Sequence, residues 1–509
     1  MAIFDAIKPN KVKRNKFSLS HERKFSMNMG DLVPIMCQEI VPGDSFRVNT
    51  ETLMRLAPML APIMHRVNVF THYFFVPNRL LWMEWEEFIT GGRTGTANPV
   101  HPYIGAPSFS VPESLYDKGS LWDYLGLPTG IKVGDQITVN ALPFRAYQLI
   151  WNEYYRDQNL MTEIDISQAS GLEPNLAAML TLRKRCWEKD YFTSCLPFAQ
   201  RGAEALIPFS AEVNYKDVSE VKFANGSTPT QVYDIMGDDE LMVGLDTRGR
   251  IENIENIENG TSTINDLRRA IKIQEWLERA ARGGSRYIES ILSHFGVRSS
   301  DARLQRPEYL GGGKSPVVIS EVLSTVGTVE ETEFAPQGTM SGHGISVGNR
   351  NGFKKSFEEH GFVIGIMSVL PRTSYQQGVP RSFLRTDKFD YYWPEFAHLG
   401  EQEVFNEEVF YNAGQPATNG QIFGYQSRYA EYKYCPSTVH GDMRDELDFW
   451  HMGRKFESAP ALNSSFVTAD PTHRIFAVED EDIHKLWVQI YNEVDALRPM
   501  PFFGEPSLI

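Results

Sequence analysis

Ser346 has the sequence context closest to that of a catalytic residue. Gly344-Ile345-Ser346-Val347-Gly348 matches the GxSxG string, which in hydrolases places a nucleophilic serine on a sharp turn between a strand and a helix. The flanking residues, QGTMSGH and NRNGFKK, contain neither a β-run nor a helical pattern. We therefore predict a flexible Gly-rich loop, with His343 as a loop histidine. An esterase-like enzyme that depends on Ser346 remains an alternative.

A second pattern imitates a phosphate-binding loop. Residues 311–315 read GGGKS, but a Walker A motif requires glycine five residues before its last glycine, where this chain has Glu308. Pro316 also stands where the helix of such a motif would begin. The phosphate-loop interpretation therefore fails.

Metal sites are not indicated either. The acidic clusters at 442–448 and 479–482 lack the spacing and the glycine of a calcium loop, so we interpret them as solvated loops. The four cysteines, Cys37, Cys186, Cys195 and Cys435, form no CxxC motif and are predicted to be reduced, mostly buried thiols. We predict no catalytic residue, no metal site and no cofactor.

The charge of the chain is divided unequally. The 509 residues carry a net charge of −15, but residues 1–30 hold two acidic and seven basic side chains and are thus +5. The basic residues are Lys8, Lys11, Lys13, Arg14, Lys16, Arg23 and Lys24. A basic arm on an acidic body is typical of a tail that faces a polyanion. A solvated tail and an arm that grips a neighbouring subunit are the alternatives.

The secondary-structure elements that the sequence predicts for the body of the chain are mainly strands. Short β-rich runs occur at 67–76, 316–326, 361–370, 473–479 and 486–494, and long loops rich in Pro and Gly join them. The run at 361–370, GFVIGIMSVL, is too short to cross a bilayer, so it is predicted to be a buried strand. No signal peptide is recognisable at the N-terminus.

Two segments have a strong helical pattern. In 142–158, aromatic residues recur at three- and four-residue spacing. The second helix is predicted from Thr263 to about Arg282, capped by Thr263 or Asn265 and ended by Gly283-Gly284, with Leu267, Ile271 and Leu277 on an apolar stripe. With so few helices, a parallel α/β fold is excluded and a mainly β fold is predicted.

Residues 211–262 differ from their surroundings. They hold eleven acidic and four basic residues, together with the triplet repeat IENIENIEN at 251–259. Such a segment is solvated, because its burial would leave charge unpaired. We interpret it as an insertion between two core elements, with the repeat as a surface loop in preference to a short helix.

Several segments carry a specific family resemblance. They are MNMGDLVPIMCQEIVPGDSF (27–46), CWEKDYFTSCLPFAQRG (186–202), residues 263–313, SYQQG (374–378), FDYYWPEFAHLGEQ (389–402), FGYQSRYAEYKY (423–434) and ALRPMP (496–501). Together they closely resemble the major capsid protein of gokushoviruses, the tailless icosahedral single-stranded DNA phages of the Microviridae. The similarity runs from about Lys16 to the C-terminus and is interrupted mainly at 211–262.

The resemblance implies a fold and an assembly. The fold is an eight-stranded antiparallel viral jelly roll with long loop and helical insertions, formed by residues 31–210 and 263–509. Residues 1–30 are the basic N-terminal arm. Sixty copies form a T=1 icosahedral capsid around a circular single-stranded DNA genome. The virion is expected to be assembled in the cytoplasm of the host bacterium, without membrane insertion and without enzymatic activity.

The resemblance also implies partners and surfaces. Partners are other copies of the chain, a small basic DNA-packaging protein, an internal scaffolding protein, a pilot protein and the bacterial host surface. The insertion at 211–262 is implied to be the threefold protrusion. Its candidate host-contact residues are Asp238, Asp239, Glu240, Glu252, Glu255 and Glu258.

Two expectations and one alternative follow for function. The basic arm is predicted to lie inside the shell, where Phe4, Phe17 or Phe25 would stack on unpaired bases. The aromatic segment 391–394, YYWP, is predicted either to form subunit contacts or to fill the core of its own subunit. A monomeric jelly-roll carbohydrate-binding module remains the second alternative to a capsid protein.

Overall fold

Ten strands form two antiparallel sheets. A computed structural model describes residues 13–107, 111–203, 205, 211–213, 257–259, 264–284, 286–325, 338–478, 480 and 482–503. The ten strands are β1 (Asn15–Ser18), β2 (His21–Met27), β3 (Val33–Ile40), β4 (Ser45–Leu56), β5 (Val67–Pro77), β6 (Glu308–Pro316), β7 (Val318–Leu323), β8 (Met340–Ser356), β9 (Gly361–Pro371) and β10 (Leu486–Arg498).

The order of the strands is nested. In the larger sheet, β1 and β2 both pair with β10, and β4, β8 and β7 follow; the order in the smaller sheet is β6-β5-β9-β3. The pairs β2 with β10, β3 with β9, β4 with β8 and β5 with β6 therefore enclose one another in sequence. The described chain is mainly β, as predicted, and this order is compatible with a jelly roll.

Burial explains which strands are apolar throughout. Along β4 and β10, buried and exposed residues alternate, because only one face of the larger sheet is covered. Nearly every residue of β5 and all of β9 are buried, since the smaller sheet is covered on both faces. The prediction of a buried strand at 361–370 is confirmed.

The second covering layer contains helices. The helices longer than two turns are α1 (Leu142–Ile150), α2 (Ile264–Gly283) and α3 (Tyr287–Phe295). Helix α1 continues as a π-helical turn at Trp151–Tyr155 and shares an apolar cluster with Phe74 and Ile364 of the smaller sheet. The Tyr147 hydroxyl anchors α1 by donating a hydrogen bond of 2.8 Å to the Leu32 carbonyl. Both predicted helices are confirmed.

The predicted cap of helix α2 needs correction, and helix α3 is an addition to the predicted helices. Helix α2 begins at Ile264, so Asn265 lies inside it and is not its cap; Thr263 lies outside the described residues. Helix α3 was not predicted, because its nine residues contain no fully buried position. Its signal is Gly296, which ends the helix in the left-handed conformation with φ of 69°.

The predicted strand at 473–479 is wrong. Ile475 and Phe476 are both buried, but the chain turns there, with the Phe476 amide donating to the His473 carbonyl at 3.0 Å. A single bridge between Phe476 and Met59 is the only ladder contact formed by the described part of this segment. Two adjacent apolar side chains therefore enter the core from a turn, and the apolar run does not indicate a strand.

The Gly-rich segment around Ser346 is also corrected, because it is a 17-residue strand, β8. Its inward positions, Gly342, Gly344, Ser346 and Gly348, are buried and alternate with more exposed residues. A Cβ atom on Gly342 would lie 2.3 Å from the Ala61 carbonyl oxygen, so only glycine fits there. The period of two among small residues is the strand signal that apolar patterning missed.

Shorter elements complete the described fold. Two-residue ladders join Tyr103–Ile104 with Val139–Asn140, and Ser374–Tyr375 with Ser437–Thr438, while Glu401–Phe405 pairs with Ile422–Ser427. Short α-helices lie at Asn78–Leu81, Trp85–Thr90, Leu121–Tyr124, Leu176–Leu180, Asn406–Val409, Pro416–Asn419 and Ser464–Val467. Single 3₁₀ turns lie at Glu113–Tyr116, Arg381–Phe383, Lys388–Asp390, Pro394–Phe396, Ala430–Tyr432, Gly441–Arg444 and Asp448–Trp450. Across the described ranges, no helix is both long and apolar enough to span a membrane.

Residues Gln200–Arg282 form a second compact unit. Within it, the Arg201 amide donates to the Leu277 carbonyl of α2 at 3.4 Å. Ala211–Val213 pairs antiparallel with Ile257–Asn259, so the two ends of the predicted insertion are adjacent in space. The unit is wider than the segment 211–262 that the charge pattern delimited, because it includes α2.

Candidate assembly and nucleic-acid surfaces

The geometry of Ser346 is that of a structural residue. Its side chain is 2% exposed, and its Oγ donates a hydrogen bond of 2.9 Å to the Pro316 carbonyl. Ser346 pairs with Met54 in the middle of the larger sheet and lies on neither a turn nor a helix N-terminus. The nucleophile elbow required by an esterase is therefore not formed.

Replacing Ser346 with alanine will lower the free energy of unfolding by about 1 kcal/mol. The substitution removes the hydrogen bond from the Ser346 hydroxyl and leaves the Pro316 carbonyl without this donor. Urea denaturation will measure this loss. Any background hydrolysis of p-nitrophenyl esters will be unchanged by the same substitution. Abolition of a specific esterase activity by Ser346→Ala would contradict the structural role.

The predicted basic arm divides into two parts. Lys8 and Lys11 lie outside the described residues, whereas Lys13 and Arg14 are exposed just before β1. Lys16 on β1 and Lys24 on β2 are exposed as well; they pair with Asp495 and Glu22, each at 2.9 Å. The described part of the predicted arm therefore contains β1 and β2 of the larger sheet, and the arm's role toward a polyanion stays a prediction.

Arg23 has a different environment from the other basic residues. Its side chain turns inward from β2, and its guanidinium donates hydrogen bonds to the carbonyls of Pro34 at 3.2 Å and Tyr124 at 2.5 Å. Burial lowers the pKa of Arg23. Arg23 thus binds the subunit's own backbone, whereas its predicted role in nucleic-acid binding stays a prediction.

The larger sheet has one exposed face. A row of side chains crosses it from Val318 through Ile345 and Arg55 to Trp487, following the strand register. Trp487 and Val318 are about half exposed. The face combines apolar, aromatic and basic groups, and within the described subunit it is covered by no other layer.

A second exposed region is rich in aromatic side chains. Between residues 383 and 434 the exposed aromatic side chains, which we call together the aromatic surface, are Phe383, Phe389, Tyr391, Tyr392, Trp393, Tyr411, Tyr432 and Tyr434. Tyr391, Tyr392 and Trp393 lie between 45% and 53% exposed. The alternative that they fill the core of their own subunit is wrong.

Side-chain interactions hold the aromatic surface in place. The Arg385 guanidinium lies 4.3 Å from the ring centre of Tyr432 and forms an ion pair of 3.0 Å with Glu431. The Trp393 indole nitrogen donates to the Lys388 carbonyl at 2.9 Å. Rings that are already fixed lose little conformational entropy on contact, so this surface is suited to stable protein–protein interaction.

The predicted host-contact residues are described only in part. Five of the six lie outside the described residues: Asp238, Asp239, Glu240, Glu252 and Glu255. The backbone of Glu258 pairs with that of Glu212 in the short ladder at the base of the insertion. Their role in host contact stays a prediction.

The other polar clusters have structural partners. In the cluster 442–448, Asp448 pairs with Lys455 at 3.2 Å. Among the described residues, no group of three or more His, Cys, Asp or Glu side chains is placed to hold a metal ion. The four cysteines are free thiols; Cys195 is buried and Cys435 is exposed. Burial raises the pKa of the Cys37 thiol to about 12, so it is unreactive at neutral pH.

Nested antiparallel sheets and large exposed aromatic and apolar surfaces are compatible with a jelly-roll structural protein of capsid type. The family model described as capsid protein (F protein) matches residues 5–508. The chain therefore belongs to this capsid protein family.

Three relatives agree with the family match. The capsid protein VP1 of Chlamydia phage 1 is 35% identical, with 99% of this chain and 97% of that protein aligned. VP1 of Bdellovibrio phage phiMH2K is also 35% identical, over 97% of this chain and 95% of that protein, and VP1 of Spiroplasma virus 4 is 31% identical, over 99% and 97%. These are gokushovirus-like Microviridae, so the resemblance predicted from the sequence motifs is confirmed.

Proposed function

We propose that sixty copies of this chain form a T=1 icosahedral shell around a circular single-stranded DNA genome. The observation that carries the proposal is the nested strand order, which is compatible with a viral jelly roll whose eight strands would be β2 to β6 and β8 to β10. The loops and helices between β5 and β6 and between β9 and β10 would be its insertions. Virion location follows from membership in a capsid family.

Assembly requires that each subunit offer different patches to its symmetry neighbours. The aromatic surface and the exposed face of the larger sheet supply such patches. Tyrosine and tryptophan contribute large contact areas with a polar end, and they are enriched in the buried centres of interfaces. The aromatic surface is accordingly proposed as a subunit contact.

Replacing Phe383 with aspartate will shift the assembled protein to free subunits. The Phe383 side chain is 80% exposed, so the substitution spares the fold and places a charge in the proposed contact. Sedimentation of the unaltered protein will show particles of about 3.5 MDa, the mass of sixty chains of 57.9 kDa. The variant will sediment mainly near the mass of one subunit.

The matched control is Met83→Asp, since Met83 is 77% exposed but lies outside the aromatic surface. This variant will assemble normally. Equal assembly of both variants would contradict the proposed contact. A monomeric unaltered protein would contradict the capsid proposal and would favour the carbohydrate-binding alternative.

The genome contact is proposed for the basic residues that precede and open the larger sheet. Lysine and arginine neutralise phosphates without reading sequence. Reversing the charge of Lys11, Lys13, Arg14 and Lys16 together will at least halve the DNA content per particle, measured by the absorbance ratio of purified shells. The control reverses the exposed residues Arg93 and Lys132 and will leave the content unchanged. Full DNA content in normal shells of the first variant would contradict the role.

The remaining partners complete the proposal. The acidic insertion at 211–262 is proposed as an outward threefold protrusion that contributes to host attachment. A small basic DNA-packaging protein, an internal scaffolding protein and a pilot protein are proposed partners during assembly, which would take place in the bacterial cytoplasm. Co-purification of tagged particles from infected cells will test these partners.

A further inference from the structure

A pocket of about 360 Å³ lies beside the aromatic surface. Five of its lining residues carry aromatic rings of Phe or Tyr: Tyr191, Phe192 and Tyr375 are buried, whereas Tyr432 and Tyr434 are about half exposed. These rings come from three separate stretches of the chain, so the pocket is a product of the tertiary fold. Its walls offer ring faces to a planar ligand.

The charged groups of the pocket are mostly paired. Arg381 binds Glu408 at 2.9 Å, and Arg385 binds Glu431 at 3.0 Å. Arg444 also lines the pocket. Its Nε donates to the Val439 carbonyl at 3.1 Å, and it forms no ion pair with any described carboxylate. The pocket therefore has one cation in excess.

Two buried polar groups of the lining lack partners within the described part of the chain. Gln376 is 7% exposed; its Nε2 donates to the Arg444 carbonyl at 3.2 Å, but its Oε1 accepts no hydrogen bond. The Arg385 side chain is 10% exposed and its Nε donates none. Such groups are rare in folded proteins because each carries a desolvation cost. Both atoms are themselves shielded from solvent, so the accessible wall of the pocket consists of the aromatic rings and Arg444.

We propose that this pocket binds a nucleobase of the enclosed single-stranded DNA, an inference that rests on the proposed function. The edge of a base carries hydrogen-bond donors and acceptors in one plane, and its faces stack on aromatic rings. The half-exposed rings of Tyr432 and Tyr434 would stack on the base, and Arg444 would approach the phosphate. A phenylalanine side chain from another protein would fill the aromatic walls but leave the excess charge of Arg444 without a partner.

The first test is the binding of deoxyadenosine 5′-monophosphate to the purified subunit, followed by ligand-observed NMR. Tyr434→Ala will weaken this binding about tenfold, the loss expected when one ring stops stacking on a base. Tyr411→Ala is the matched control, because Tyr411 is 49% exposed against 56% for Tyr434 and does not line the pocket. Arg444→Gln will weaken binding of the nucleotide but not of deoxyadenosine.

The second test uses DNA-filled particles. After ultraviolet cross-linking and proteolysis, mass spectrometry will detect nucleotide adducts on the peptide that contains Tyr432 and Tyr434. Three outcomes would overturn the proposed nucleobase binding while leaving genome enclosure intact. They are adducts confined to other peptides, absence of nucleotide binding by the unaltered subunit, and equal effects of Tyr434→Ala and Tyr411→Ala. Loss of assembly by Tyr434→Ala with unchanged nucleotide binding would also overturn it and would leave Tyr434 with its proposed role in subunit contact alone. Particles that contain no DNA would instead contradict the proposed function itself.

Discussion

Replacing Arg145 with methionine will lower the free energy of unfolding of the subunit by about 3–5 kcal/mol, as expected when one partner of a buried ion pair is removed. Arg145 and Glu173 are both fully buried, and the Arg145 Nε lies 2.7 Å from Glu173 Oε2. The guanidinium also donates to the carbonyls of Leu81 and Ala169, each at 3.0 Å. The substitution therefore leaves a buried carboxylate and two carbonyl oxygens without these partners.

Urea denaturation of unassembled subunits will measure this effect. Adding Glu173→Gln to Arg145→Met will restore part of the lost stability, because a neutral amide costs less to bury than an unpaired carboxylate. Lys24→Met is the surface control: its ion pair with Glu22 is exposed, so the change will be below about 1 kcal/mol. A loss of similar size in Arg145→Met and Lys24→Met would contradict the structural role of the buried pair.

The strands that sequence reasoning identified are those whose burial leaves an apolar run. β5 and β9 are covered on both faces and are therefore apolar along their length. β8 was missed because its inward positions are glycine and serine, which the close approach of Ala61 and other neighbours requires. β2 was counted with the basic arm because its residues contribute to the positive charge of 1–30, and the sequence does not show that Arg23 donates to backbone carbonyls of the fold.

The candidate surfaces were predictable to different degrees. The family resemblance identified the capsid class, whereas the insertion predicted from charge stays a prediction, of which the structure describes the ladder between 211–213 and 257–259. The pocket beside the aromatic surface could not be predicted, because Phe192, Gln376 and Arg444 are far apart in sequence and meet only in the folded subunit. No local spacing rule connects residues that long-range packing brings together.

Replacing residues 214–256 with the dipeptide Asn-Gly will preserve particle assembly and reduce host attachment to background. Val213 and Ile257 are paired at the inner end of an antiparallel ladder. A two-residue turn can therefore close the hairpin without moving its strands. The excised segment contains five of the six predicted host-contact residues, so the variant keeps the base of the insertion and loses its acidic part.

Sedimentation will test assembly, and binding of labelled particles to host cells will test attachment. A companion variant keeps the full segment and replaces Asp238, Asp239 and Glu240 with Asn, Asn and Gln. If acidic charge is the recognised feature, attachment will fall in this variant too, although less than in the excised one. Normal attachment of assembled, excised particles would contradict the host-contact role. Failure of the excised chain to fold would instead show that residues 214–256 support the core, because the Asn-Gly turn already satisfies the geometry of the ladder.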